Sequence, residues 1–291
     1  MTFVRKYREN RPVLAICYDF DKTLSPDDMQ AQGFIQSLGY EVDEFWREVN
    51  EFAVAHEMDS NLAYMLKMAQ EARERQLEFS RKTLAEFGAK VQLFPGVEEW
   101  FRRIREYGAA HGVIVEHYII SSGLKEMIEG TEMAKNHDFE KIYASSFYFD
   151  GDGNAVWPSQ VINYTSKTQF LFRIEKGVLD INDNGVNEFF RPDQIRVPFR
   201  NMVYIGDSDT DIPCMKLVNT YGGHSVGVFD PDTGDKAKVR KMLRDQRVRY
   251  FASADYREGS DLDRLVKAII GKTAAFEVLE DRHFENLAET E

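Results

Sequence analysis

The chain has 291 residues, 43% hydrophobic and 30% charged, which is enough apolar material for a core and too much for a disordered chain. Lys and Arg number 37 against 49 Asp and Glu, and the net charge of −12 excludes the general basic face that nucleic-acid binding needs. The two cysteines, Cys17 and Cys214, exclude a disulfide scaffold and a Cys-rich zinc site, and no apolar run reaches the roughly 20 residues of a membrane span.

In chain order, the polar start to Pro12 gives way to Val13-Leu14-Ala15-Ile16-Cys17-Tyr18. A short continuous apolar run suits a strand buried on both faces of a parallel sheet. The run is too short for the core of a signal peptide, so a soluble cytoplasmic protein is expected. The next stretch, 27 to about 90, reads as helix after helix. Phe45, Trp46, Val49, Phe52 and Ala53 recur at helical spacing over 43–57. Leu62, Met65, Leu66, Ala69, Leu77 and Leu84 continue the pattern over 60–87, with Ser60 as the expected N-cap and Gly88 as the stop. Pro95-Gly96 precedes an amphipathic helix over 97–107, and 113–120 is a second buried strand, running into Ser121-Ser122-Gly123.

A hairpin with an Asp/Gly turn is expected from 142 to 157, then a helix from about Lys167 to Lys176. Residues 180–200 read as loop. Strands are expected at 202–205, 225–229 and 248–252, and helices between and after them, including 262–270 and an acidic tail that could continue as helix. Strands alternating with helices predict an α/β fold with a mainly parallel sheet. In such sheets ligands sit outside the carboxyl ends of the strands. The polar clusters at Asp19, Ser121 and Asp207 all fall there.

Carboxylates at the end of a buried strand are costly unless they have a task. Asp19-x-Asp21-x-Thr23 follows the first strand, and Gly206-Asp207-Ser208-Asp209-Thr210-Asp211 follows the third. Carboxylates gathered on one sheet edge repel unless a hard divalent cation sits among them, which points to Mg²⁺. Ser121 adds a neutral hydroxyl, and Lys167 can return one positive charge. Lys176 competes with Lys167 for that task, and Ser122 with Ser121. The six histidines share no pairing pattern, and none is read as a ligand. Trp46, Trp100 and Trp157 are expected in the core or at its rim.

Four motifs thus stand in order: Asp19-x-Asp21-x-Thr23-Leu24, Ser121, Lys167, and Gly206-Asp207-x-x-x-Asp211. The set resembles the haloacid dehalogenase-like (HAD) hydrolase superfamily, and within it the phosphoserine phosphatase-type branch, which also has a Pro-Gly before the serine motif and a hairpin ahead of the lysine. The resemblance covers about 12–25 and 93–270. It implies a Rossmann-like core over 1–25 and 93–291 with an inserted helical cap over 26–92. It also implies Asp19 as nucleophile, Asp21 as general acid and then base, and Ser121 and Lys167 as phosphoryl partners. Thr23, Ser122 and Gly123 would lie at the phosphate. Mg²⁺ would be held by Asp19, the backbone carbonyl of Asp21, and Asp207, with Asp211 as a ligand or its neighbour. The implied activity is hydrolysis of a small phosphorylated metabolite through an aspartyl-phosphate. Transfer to another alcohol, or binding without catalysis, are the alternatives. Asp209 stands where relatives commonly have a small residue.

Overall fold

The computed structural model describes residues 3–290. β1 (Val13–Tyr18) is buried along its whole length, as its unbroken apolar run requires. Leu14, Ile16 and Tyr18 face one core cluster, while Val13, Ala15 and Cys17 face another. Both faces of the strand therefore need a helical layer.

The chain after β1 is helical: α1 (Phe34–Ser37), α2 (Val42–Ala55), α3 (Ser60–Glu74) and α4 (Arg81–Gly88). Two expectations need correcting here. Asp59 rather than Ser60 is the N-cap of α3, its carboxylate accepting from the backbone N–H of Asn61 and Leu62. The pattern over 60–87 is also two helices. Gln76 takes a positive φ of 55°, Ser80 caps α4 through the Thr83 N–H, and Leu77 is left 41% exposed between them.

There follow α5 (Val97–Ala110), β2 (Ile114–Leu124), α6 (Lys125–Glu129), α7 (Glu132–Lys135), and the hairpin β3 (Lys141–Phe149) with β4 (Ala155–Gln160). Then come α8 (Thr168–Lys176), β5 (Met202–Gly206), α9 (Ile212–Thr220), β6 (His224–Phe229), α10 (Ala237–Arg244), β7 (Tyr250–Ser253) and α11 (Asp261–Ala288). The acidic tail is thus the second half of one long helix. Residues 180–200 carry short 3₁₀ turns. They are fixed from below by the buried Arg173, whose guanidinium donates to the carbonyls of Asp180 (2.6 Å) and Ile181 (2.8 Å). Among the described residues no helix is long and apolar enough to cross a membrane.

Among the described residues, seven strands form one sheet in the order β4-β3-β2-β1-β5-β6-β7, parallel except between β3 and β4. α5 and α11 cover one face through Trp100, Phe101, Ile104, Leu262 and Val266. α8 and α9 cover the other through Phe170, Leu171, Ile174, Met215 and Val218. The chain builds outward from β1 to β4, then returns to β1's other side with β5. That reversal opens a crevice at the carboxyl ends of β1 and β5, the place where an open α/β sheet binds its ligand. Of the tryptophans, Trp100 is buried, with its indole N–H on the Tyr18 hydroxyl at 2.7 Å. Trp46 is half-buried, but Trp157 is 67% exposed on the edge strand β4, outside core and rim.

α4 docks on α6 with almost no space between backbones. A Cβ on Gly88 would lie 1.8 Å from the Met127 carbonyl oxygen, and one on Gly130 would lie 2.0 Å from that of Ala85. Gly130→Ala is therefore expected to destabilise the fold by about 1–3 kcal/mol or more, the range for overpacking. The urea midpoint measures it, and an unchanged midpoint would show that the two helices separate freely.

Candidate active site

Asp19 is the first residue past β1, and its N–H still continues the sheet ladder to the Ile205 carbonyl at 2.9 Å. The residue is 5% exposed. One oxygen, Oδ1, accepts from the Phe20 N–H at 2.8 Å, and the other, Oδ2, accepts from Lys167 Nζ at 3.0 Å. The lysine enters from the last residue of a 3₁₀ turn just before α8 and is fully buried. Its ammonium also reaches Asp211 Oδ1 at 2.7 Å. Two carboxylates hold its pKa above the ordinary lysine value even though burial acts to lower it. The rival Lys176 is spent elsewhere, donating to the Val186 and Glu188 carbonyls.

Asp211 is positioned by more than the lysine. Oδ1 also accepts from the Tyr204 hydroxyl at 2.8 Å, and Oδ2 accepts from the Ser208 N–H and hydroxyl at 3.1 and 3.0 Å. Burial works against its charge, but Lys167 and these donors hold its carboxyl below the usual range. Asp207 lies at the end of β5, with Lys238 at 3.4 Å. Burial and the nearby Asp211 push it up to about 6. Burial and the same neighbour raise Asp19, against the pull of Lys167. Asp19, Asp207 and Asp211 each offer an oxygen within 4.8 Å of the others. Three carboxylates with one buried ammonium leave an excess of negative charge, so the donor set suits a hard divalent cation.

Asp21 lies two residues beyond Asp19, where Oδ1 accepts from the Met29 N–H at 2.8 Å. Burial, with Asp28 and Asp19 beside it, raises its carboxyl well above the usual range. Ser121 is fully buried at a register shift in β2. Its hydroxyl accepts from the Gly123 N–H at 3.0 Å, so that amide is engaged within its own turn. The hydroxyls of Ser122 and Thr23 are buried and have no partner among the described residues. Thr23 lies within the turn that closes on the Phe20 carbonyl, and it does not line the cavity described next. Asp19, Asp21, Ser121, Ser122 and Asp207 do line it, together with Lys22 and Lys238. Asp209 is exposed on the outer side of its turn.

Sequence reasoning missed Tyr204 and Ser208, which orient Asp211, and Lys238 beside Asp207. Tyr204 sits in an apolar run, where nothing marks its hydroxyl as a carboxylate partner. It also missed Tyr64, whose hydroxyl donates to the Ser122 carbonyl at 2.9 Å and ties α3 to the end of β2.

The raised carboxyl of Asp207 gives a stability signature. Between the ordinary aspartate pKa of about 3.9 and its value of about 6, folded Asp207 keeps a proton that the unfolded chain releases. Metal-free stability from this group therefore falls as pH rises across that window. Mg²⁺ is expected to raise the melting temperature more at pH 7.5 than at pH 5. Asp207→Asn should shrink the difference, leaving the part that comes from the raised carboxyl of Asp19, and an equal Mg²⁺ shift at both pH values in the parent would refute it.

Comparison with known proteins bears on the fold and the family. An uncharacterised protein of Borreliella burgdorferi is 28% identical over 279 residues, covering 88% of this chain and 95% of that one. Among solved structures, a HAD family hydrolase of Salmonella enterica serovar Typhi superposes with a TM-score of 0.58 at 15% identity, covering 89% of this chain and 72% of the other. A probable phosphoserine phosphatase of Vibrio cholerae gives 0.55 at 14% identity, covering 92% and 67%. At such identities the structural likeness speaks for the fold. The family model of haloacid dehalogenase-like hydrolases matches residues 16–216, from inside β1 through Asp19, Ser121, Lys167 and Asp207 to beyond Asp211, and the chain belongs to that family.

Proposed function

We propose that the protein is a Mg²⁺-dependent phosphatase that hydrolyses a small phosphomonoester through an aspartyl-phosphate on Asp19. The observation that carries this reading is the buried Asp19 carboxylate, held at 3.0 Å by Lys167 with Asp21 two residues away. An Asp19 oxygen attacks phosphorus, and the bond from phosphorus to the ester oxygen breaks. Asp21 gives its proton to the departing alkoxide. Burial, with Asp28 and Asp19 nearby, shifts Asp21 toward the acid form that this role requires. As a carboxylate it then takes a proton from water. That water attacks phosphorus, and the bond to Asp19 breaks to release phosphate.

Lys167 offsets charge on Asp19 and on the phosphoryl oxygens, and the fully buried Ser121 is placed to donate its hydroxyl proton to one of them. Asp211, saturated by Lys167, Tyr204 and Ser208, keeps the lysine in place. Asp19, Asp207 and the Asp21 carbonyl would hold Mg²⁺, which would supply charge neutralisation at the phosphoryl group. The helices of 26–92 act as a cap that faces the substrate, over a core made of 1–25 and 93–291.

Hydrolysis of p-nitrophenyl phosphate tests the reading. Activity is expected with Mg²⁺ or Mn²⁺, none in excess EDTA, and inhibition by Ca²⁺, whose looser coordination spoils the in-line geometry. Full activity in excess chelator would overturn the metal assignment, and no hydrolysis under any metal would overturn the activity.

A further inference from the structure

A second cavity, of about 240 Å³, lies between the strand ends and helices α2 and α3, and shares Asp21, Asp28 and Ser122 with the first. A phosphoryl group on Asp19 would leave its alcohol on this side, next to Asp21. The cavity takes Trp46, Val49 and Asn50 from α2, Asn61 and Tyr64 from α3, and Gln30 from the turn after Asp28.

The charge of this lining is one-sided. No lysine or arginine is in it; the charged members are Asp21 and Asp28. The neighbouring cation, Lys22, is already paired with Asp28 at 3.0 Å. Whatever the protonation of Asp21, the wall offers no free positive charge. A carboxylate or second phosphate placed here would give up its hydration against acidic neighbours.

The unpartnered polar atoms of the lining supply the second observation. The Trp46 indole N–H and the Ser122 hydroxyl are buried and have no hydrogen-bond partner among the described residues, and Gln30, 2% exposed, lines the same cavity. A buried polar group without a partner is rare, because it lacks the bonds it would make in water. A hydroxyl both donates and accepts, so an alcohol with further hydroxyl groups satisfies an indole N–H and a serine hydroxyl alike.

We infer that the alcohol released carries no anionic group and presents hydroxyls to the wall that holds Trp46, Ser122 and Gln30, as a polyol or sugar monophosphate does. This rests on the phosphatase reading above and narrows its substrate class. Esters of hydroxy acids, O-phosphoserine included, are poor substrates because their carboxylate meets no counter-charge.

Glycerol 3-phosphate and 3-phosphoglycerate test this, since they share a skeleton and differ at one end, CH₂OH against carboxylate. With Mg²⁺ present, kcat/KM is expected to favour glycerol 3-phosphate by about 100-fold or more. Asn50 is exposed at the cavity mouth, so Asn50→Arg should fold. It is expected to move that ratio toward 3-phosphoglycerate by about tenfold or more by supplying the missing charge. Equal or reversed preference in the parent, or a ratio that Asn50→Arg leaves in place, would overturn the inference. p-Nitrophenyl phosphate separates the two levels. If it is cleaved while the esters are not discriminated, the substrate class alone is wrong. If it is not cleaved, the phosphatase reading falls and takes this inference with it.

Discussion

Lys167→Met is expected to lose both stability and turnover. The ammonium is fully buried and is the group that bonds Asp19 and Asp211 together, at 3.0 and 2.7 Å. Methionine fills much of the same volume but leaves two buried carboxylates facing each other. Removing one partner of a buried ion pair costs about 3–5 kcal/mol, a large part of the roughly 5–15 kcal/mol that holds a domain folded. The charges relax by binding a proton, so the variant's stability should improve as pH falls, opposite to ordinary acid denaturation. Turnover should fall by about 10²–10³-fold even where the variant is folded, as it does when a donor to developing charge is lost. Urea titration at pH 5 and 7.5, with kcat measured at each, checks both. A variant as stable as the parent at pH 7.5 would mean that Asp19 and Asp211 do not need the lysine.

Asp19→Asn is expected to separate the two effects. A neutral amide cannot attack phosphorus, so turnover should fall by about 10⁴-fold or more, as when a nucleophile is removed. Stability should hold or rise, because burial and Asp211 both oppose the Asp19 charge while Lys167 keeps its bond to Asp211. The measurements are kcat on p-nitrophenyl phosphate and the melting temperature of the same sample. Turnover within tenfold of the parent would remove Asp19 from the chemistry.

The strands were legible because each buried parallel strand is a short apolar run that ends in a polar cluster. Val13–Tyr18 with Asp19, and Met202–Ile205 with Asp207, are of this kind. The carboxylates, Ser121 and Lys167 were legible through their order along the chain. The partners of Asp211 were not, since Tyr204 looks like any strand tyrosine and Ser208 like any turn residue. The break between α3 and α4 was hidden as well. Gln76 adopts positive φ without a glycine or proline to mark it, and Leu77 kept the apolar spacing while turning to solvent. Gln30 gave no signal, because a glutamine's burial depends on what packs over it.

The sheet order also sets the history of each molecule. Val13 pairs with Ile114 and Ala15 with Met202, so the central strand waits for neighbours from far along the chain. Contacts this distant in sequence slow folding, because chain entropy is lost before they form. During synthesis at about 5–20 residues per second, β1 stays open on its β5 side until Met202 emerges. Asp207 and Asp211 arrive with that same segment, so the carboxylates are forced together only as the last central pairing closes. Their repulsion therefore enters with the pairing of β1 and β5 and is absent before it.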